Sequence, residues 1–327
     1  MKIVFMGTPD FAVPALKELM AHHDVIAVCT QPDRPAGRGH KLQMSPVKAL
    51  ATHGNVEVLQ PEALRIKRNL AFDDLKGIQT NANAKATRKY LASLDADVFV
   101  VAAYGLLLPK AVLDMPRRGC INIHASLLPK YRGASPINAV LANGEATTGI
   151  TIMYMDVGVD TGDMILQREL TIEPDERFQS LHNRMAMLGA ECILEALDQI
   201  EKGVNQRIPQ DEAAASYAPM IKKADAHINW AWPTERIVNL TRAYDPWPGP
   251  YTLYNDEPIK IWQVEKADDN QGSQPGTVLA SDLIKGIQVQ TGDGTAWIQE
   301  LQAAGGKRMK ATAYLRGREV RVGEILI

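Results

Sequence analysis

Cysteine is scarce in this chain, with Cys29, Cys120 and Cys192 the only three in 327 residues. None sits in a C-x-x-C pair or at Cys/His spacing, which excludes a zinc ribbon and a disulfide framework and leaves three reduced core residues. Long apolar runs are missing as well. None reaches the roughly 18 residues that a membrane span needs. The chain opens on the strand-like run Lys2-Ile3-Val4-Phe5-Met6 with no secretory pattern before it, so a cytoplasmic protein without a membrane anchor is expected. Charge of one sign is lacking, because the formal net charge is −2. Any contact with nucleic acid must therefore come from a local patch rather than from a global field. The fingerprint G-x-G-x-x-G is absent after the first strand, where Gly7 stands alone, and this argues against a dinucleotide. The sequence offers no convincing metal site. What is present is a hydrophobic content of 46% over 327 residues, enough for a large core and two domains.

Taken in order, Ile3 to Met6 predicts a first buried strand. Asp10 is the expected N-cap of a helix running to Met20, with Pro14 in its first turn. Val25 to Cys29 predicts a second strand. The stretch Gln31 to Leu42 carries Arg34, Arg38 and Lys41 among prolines and glycines, too punctuated for helix or sheet; it reads as a solvated surface loop or as a basic arm for a polyanion. Residues 60 to 97 are polar and predict surface helices. Val98 to Ala103 is a continuous apolar run that fits a central parallel strand. A long amphipathic helix is expected from Asp175 to Lys202, with Gly203 as its stop. Beyond it, short β-prone runs at 260–264, 277–280, 286–290, 296–301 and 318–321 suggest a small barrel or sandwich. The fold class expected is α/β: a Rossmann-like, mostly parallel sheet in an N-terminal domain over 1–203, a linker at 204–211, and a smaller OB-like β-barrel over 212–327.

Three polar residues fall at one sheet edge. Cys120 to Ile123 reads as the end of a buried strand, and strand alternation puts Asn122 and His124 on the same side. The chain then leaves through Ser126-Leu127-Leu128-Pro129, at the carboxyl edge where ligands of open α/β sheets sit. Gly149 to Met155 predicts another strand, which runs into a glycine-rich loop carrying Asp160 between Gly158 and Gly162. Each feature alone has an ordinary explanation in loop or turn hydrogen bonding. Together, an amide, an imidazole and a carboxylate complete a three-residue polar set at one sheet edge, a combination that accident explains far less well.

These motifs carry a resemblance over nearly the whole chain. Gly7-Thr8-Pro9-Asp10-Phe11, the stretch Gln31 to Gly39, Ala103-Tyr104-Gly105, Asn122-x-His124-x-Ser126-Leu127-Leu128-Pro129 and the run Met155 to Gly162 are similar to the methionyl-tRNA formyltransferase family. The Asn122/His124/Ser126 to Pro129 motif with the Asp160 loop would alone indicate only the wider group of folate-dependent formyltransferases. The arginine-rich loop and Asp245-Pro246-Trp247-Pro248-Gly249-Pro250 narrow the resemblance to the tRNA branch. One departure is the segment 65–92, longer than the family's usual connection, to which no role is assigned. The resemblance implies transfer of the formyl group of 10-formyltetrahydrofolate to the amino group of methionyl initiator tRNA, without a metal. Asn122 and a protonated His124 would stabilise the oxyanion, and Asp160 would hold the imidazolium and relay a proton. The folate pocket would be lined by Tyr104, Gly105, Leu106 and Leu107, by Ser126, Leu127, Leu128 and Pro129, and by the Asp160 loop.

Candidate tRNA contacts are Arg34, Arg38 and Lys41 in the loop and Lys307, Arg308 and Arg318 in the locally basic C-terminal end. A monomer is expected. Two alternatives stand beside this reading. A folate-dependent enzyme acting on a nucleotide or sugar-nucleotide amine would keep the three polar residues without needing the basic surfaces. A non-catalytic RNA-binding protein would keep the basic surfaces alone.

Overall fold

The computed structural model describes residues 1–36, 41–67, 74–267 and 272–327. They form two compact units. The first comprises Met1–Gly133, Gly149–Leu170 and His182–Tyr217, and the second Ala134–Thr148, Thr171–Leu181 and Ala218–Ile327.

In the first unit, β1 (Lys2–Gly7) is followed by α1 (Val13–His22) and β2 (Asp24–Cys29). Ile3, Val4, Phe5 and Met6 are wholly buried. Each such side chain contributes about 1.5–3 kcal/mol on leaving water, which is why so short a strand can anchor a sheet centre. Asp10 does not cap α1 as expected. It opens a separate 3₁₀ turn, Asp10–Ala12, in which its carboxylate accepts from the Phe11 N–H at 3.2 Å. Pro14 does occupy the first turn of α1.

The stretch after β2 also differs from expectation. β3 (Arg34–Ala36) and β4 (Lys41–Gln43) pair antiparallel as a two-stranded ribbon, Pro35 opposite Leu42. Proline is tolerated there because such a ribbon consists only of edges. Then come α2 (Pro46–His53), β5 (Val58–Leu59), α3 (Leu75–Ser93), β6 (Val98–Ala102), α4 (Lys110–Leu113) and β7 (Cys120–His124). The Ser45 hydroxyl caps α2 by accepting from the Lys48 N–H at 3.0 Å. Every residue of β6 is buried, as its unbroken apolar run predicts.

After α5 (Pro136–Ala142), β8 (Thr147–Tyr154) and β9 (Met164–Thr171) complete a seven-stranded sheet of order β5-β2-β1-β6-β7-β8-β9. Pairs from β5 through β7 are parallel, whereas β8 runs antiparallel to β7. The long helix α6 (Phe178–Lys202) follows, and Gly203 ends it at φ +70°.

The second unit holds α7 (Thr234–Ala243) and the strands β10 (Tyr251–Tyr254), β11 (Glu257–Ala267), β12 (Val278–Asp282), β13 (Gly286–Gln290), β14 (Thr295–Ala303) and β15 (Met309–Lys310), with α8 (Ala311–Leu315) last. The antiparallel order is β10-β11-β14-β13-β12. The C-terminal segment closes it. Leu253 of β10 exchanges two backbone hydrogen bonds with Ile327, at 2.7 and 3.0 Å, and Val278 of β12 donates to Glu324 at 2.8 Å. Both sheet edges are thereby paired and the sheet becomes a barrel, cored by Trp230, Ile237, Ile261, Val289 and Ile298. Residues 318–321 are not the strand expected from their sequence; they form a bend and an extended stretch leading to the closing tail.

Among the described residues, no helix is long and apolar enough to cross a membrane.

Candidate active site

β7 carries Asn122 and His124, and both are buried. Val101 of β6 lies beside Asn122, and Met153 and Thr151 of β8 lie opposite Asn122 and His124. The strand thus has neighbours on both sides, and its direction fixes where the two side chains emerge. Beyond it the chain makes a tight loop. The Ser126 hydroxyl donates to the Lys130 carbonyl at 2.6 Å. Thr151 binds the same loop to β8: its hydroxyl donates to the Ser126 carbonyl at 2.6 Å and accepts from the Leu128 N–H at 3.1 Å.

The imidazole of His124 has two different neighbours. Nε2 lies 3.0 Å from the Tyr131 carbonyl, and Nδ1 lies 3.6 Å from Asp160 Oδ2. A carbonyl can only accept, so Nε2 must carry a proton. Nδ1 therefore is the nitrogen that faces the carboxylate, and at 3.6 Å the two stand beyond close hydrogen-bonding distance.

Asp160 lies in the loop between β8 and β9 at φ +53°, and its Oδ2 accepts the Gly133 N–H at 2.8 Å. Gly162 is required beside it, since a Cβ there would come within 1.9 Å of the Tyr154 carbonyl. The Asn122 amide makes no hydrogen bond among the described residues, an uncommitted donor in a buried place. At the site, therefore, are a free amide, an imidazole and a carboxylate, with the ring and carboxylate facing each other at 3.6 Å.

The expected folate-lining residues divide. The Tyr104 ring belongs to the core, and burial holds its phenol above the usual range; its carbonyl accepts from Thr8 Oγ1 at 3.0 Å and Gln31 Nε2 at 3.1 Å. Ser126 and Leu128 are buried in the loop that they shape. Leu127 and Leu106 are half-buried, as is Pro129, whereas Gly105 and Leu107 are exposed, Leu107 at 70%.

Of the expected tRNA contacts, Arg34 is exposed on β3, Lys41 pairs with Ala36 through its backbone, and Arg38 lies outside the described residues. In the barrel, Arg308 is engaged by its own domain: it donates to Glu300 and to Asp245 Oδ1 and Oδ2, and it lies 5.0 Å from the centre of the Trp262 ring. Arg318 is exposed, 5.8 Å from the Tyr314 ring, and Lys307 is exposed.

Sequence reasoning missed Arg132, Gln210 and Glu212. The Arg132 side chain is fully buried, and it pairs bidentately with Glu212 at 2.8 and 2.9 Å and with Gln210 Oε1 at 3.0 and 2.9 Å. These partners lie about eighty positions away in the chain. No local periodicity signals them. The segment expected to be a linker is fastened to the first unit by Gln210 and by mutual backbone bonds of 2.9 Å between Ile208 and Met164.

Among the described residues, no group of three or more His, Cys, Asp or Glu could hold a metal ion. The thiols are all buried, and burial raises Cys29 and Cys120 to about 12 and Cys192 to about 11, so none is a ready nucleophile.

The profile described as "Formyl transferase" matches residues 1–197, and that described as "Formyl transferase, C-terminal domain" matches residues 220–319. Curated relatives named "Methionyl-tRNA formyltransferase" include one from Geobacter metallireducens, 46% identical over 97% of this chain and 96% of its own. Another, from Caldanaerobacter subterraneus subsp. tengcongensis, is 46% identical over the whole of both chains. Solved structures share the fold at low identity. HypX from Aquifex aeolicus, in complex with tetrahydrofolic acid, aligns with a TM-score of 0.59 at 17% identity over 99% of this chain, which spans 50% of that one. An N-formyltransferase from Helicobacter canadensis with folinic acid and dTDP-3-aminofucose gives 0.62 at 18% identity over 94% and 100% of the two chains.

Proposed function

The chain belongs to the formyl transferase family, and from that premise we propose that it transfers the formyl group of 10-formyltetrahydrofolate to the free amino group of methionyl initiator tRNA. The observation that carries the acceptor is the likeness to the tRNA enzymes at 46% identity, which runs through both domains. In this reading residues 1–203 hold the chemistry, 204–211 join the domains, and the barrel over 212–327 engages tRNA as a monomer with the loop around Arg38.

The residues at the site fit an acyl donor. Bound 10-formyltetrahydrofolate supplies a formyl group whose oxygen becomes negative as the amine adds. Asn122 offers its uncommitted amide N–H to that oxygen. His124 offers the Nδ1–H, because Nε2 is taken by the Tyr131 carbonyl. Donors placed in advance where charge develops act most strongly in a buried site. Asp160, 3.6 Å from Nδ1, is the base near enough to take the amine's proton, directly or through a water, and to return it to N10 of the folate as the C–N10 bond breaks and tetrahydrofolate leaves. A thiol route is disfavoured by the raised thiols. Arg34, Arg38, Lys41, Lys307 and Arg318 are the proposed phosphate contacts, and Leu107, Gly105 and Leu106 the apolar turn beside the folate.

The test offers purified protein 10-formyltetrahydrofolate with charged methionyl initiator tRNA or with an amino sugar nucleotide. Formylmethionyl-tRNA is the expected product. A formylated sugar in its place would move the protein to the alternative acceptor class, and failure with both would overturn the reading.

A further inference from the structure

We infer that Gln210, held in place by the buried Arg132, is a positioning residue that sets the Asp160 loop for proton transfer. This rests on the catalytic reading of His124 and Asp160. The Gln210 amide uses its whole hydrogen-bonding capacity. Its Nε2 donates to the carbonyls of Asp160 and Gly162, both at 2.8 Å. Its Oε1 accepts from Arg132 Nε at 3.0 Å and Nη2 at 2.9 Å. Two donors meet two carbonyls and one oxygen meets two N–H groups, so the amide has only one sensible orientation.

Arg132 is in turn held by several partners: its side chain is fully buried, and its remaining side-chain bonds run to Glu212 at 2.9 and 2.8 Å and to Tyr217. Its backbone N–H donates to the Ser216 carbonyl at 2.8 Å, and the Tyr131 N–H donates to Ser216 Oγ at 2.9 Å. A buried guanidinium is tolerable only when so fully paired.

The chain neighbours of Arg132 make the placement functional. Tyr131 supplies the carbonyl that holds His124 Nε2, and Gly133 supplies the N–H that holds Asp160 Oδ2. One side chain thus fixes the loop that orients the ring, and through Gln210 it also fixes the loop that carries the carboxylate. Asp160 needs this support, since its positive φ is uncommon for a residue with a Cβ. Without Gln210 the 160–162 backbone loses both carbonyl bonds and the carboxylate drifts relative to the ring, where an error of about 1 Å is worth roughly 100-fold in rate.

Gln210→Glu is the decisive variant. It is isosteric, keeps the pairing with Arg132 and replaces the donor to the two carbonyls by an acceptor. Gln210→Ala accompanies it, with thermal melting to show that both fold. The expected result is a fall in kcat of about 10- to 100-fold with KM for tRNA and folate nearly unchanged. On an Asp160→Asn background, Gln210→Glu should add no further loss. Wild-type kcat in both variants, or a full further loss on that background, would overturn the inference. Asp160→Asn and His124→Ala belong to the same panel. If those two retain full turnover, the catalytic reading has failed and the inference falls with it. If they lose turnover and the Gln210 variants do not, only the inference fails.

Discussion

At the scale of single residues, the site depends on how His124 divides its two nitrogens. Because Nε2 is spent on the Tyr131 carbonyl, Nδ1 is the ring atom left to face a substrate. His124→Ala should lower kcat by about two to three orders of magnitude, the scale for losing one oxyanion donor. Folate binding, measured by equilibrium fluorescence, should persist, and near-normal turnover would remove His124 from the mechanism. Asn122 and His124 were legible in the sequence because strand alternation fixes faces two residues apart. Asp160 was legible only in company with those two, since an aspartate in a glycine-rich turn reads by itself as turn chemistry. Arg132 and Gln210 were not, since a contact across the chain between a guanidinium and an amide leaves no periodic trace.

At the scale of elements, Thr151 joins β8 to the loop after β7. Its wholly buried hydroxyl serves the Ser126 carbonyl, the Leu128 N–H and, at 3.0 Å, Gln167 Nε2. Thr151→Val keeps the shape and leaves these three groups short of a partner, each worth about 1–3 kcal/mol. Allowing that Gln167 also bonds the Leu128 carbonyl at 2.8 Å, the variant should lose about 2–4 kcal/mol in urea unfolding; a loss under 0.5 kcal/mol would mean that the loop repacks around water.

The element boundaries show where sequence reading succeeds. β6 and β7 were readable because burial on both faces leaves an apolar run. The ribbon β3–β4 was not, because its strands are only three residues long, one of them holds Pro35, and the sequence around them is rich in proline and glycine. Residues 318–321 were read as a short β-prone run, yet the sheet edge is taken by the tail from 324 to 327. Asp10 has the chemistry of a cap, but Pro9 and the 3₁₀ turn move the N-cap of the helix two residues on, to Ala12.

At the scale of the whole molecule, a near-neutral chain must manage both its carboxylates and its phosphate contacts locally. Asp97 is held below its ordinary 3.8 by the Lys2 N–H and Arg117, Asp293 by the Thr234 N–H and hydroxyl, and Glu212 below 4.5 by Arg132. A depressed folded-state value gives stability that is present above the ordinary value and lost as pH falls through the depressed one. Urea midpoints should therefore stay level on this account between about pH 7 and 5 and drop below about pH 4; a midpoint unchanged at pH 3 would contradict these assignments.

The barrel's cations differ in the same local way. Arg308 sits between Asp245 and Glu300, which already neutralise it, whereas Lys307 is exposed and has no ion pair among the described residues. Neutralising a free cation that meets a phosphate removes one released counterion, so Lys307→Ala should flatten the slope of log affinity for tRNA against log salt by about 0.7–0.9 while leaving the melting temperature unchanged. Arg308→Ala should do the reverse, leaving the slope nearly intact but modestly lowering the melting temperature, since it takes the partner from Glu300 and one of two arginines from Asp245, which keeps Arg177, and vacates part of the Trp262 face. If Arg308→Ala instead flattened the slope and left the barrel's stability untouched, its acidic partners would be exchanging for phosphate on binding, and the basic surface that meets tRNA would have to include it.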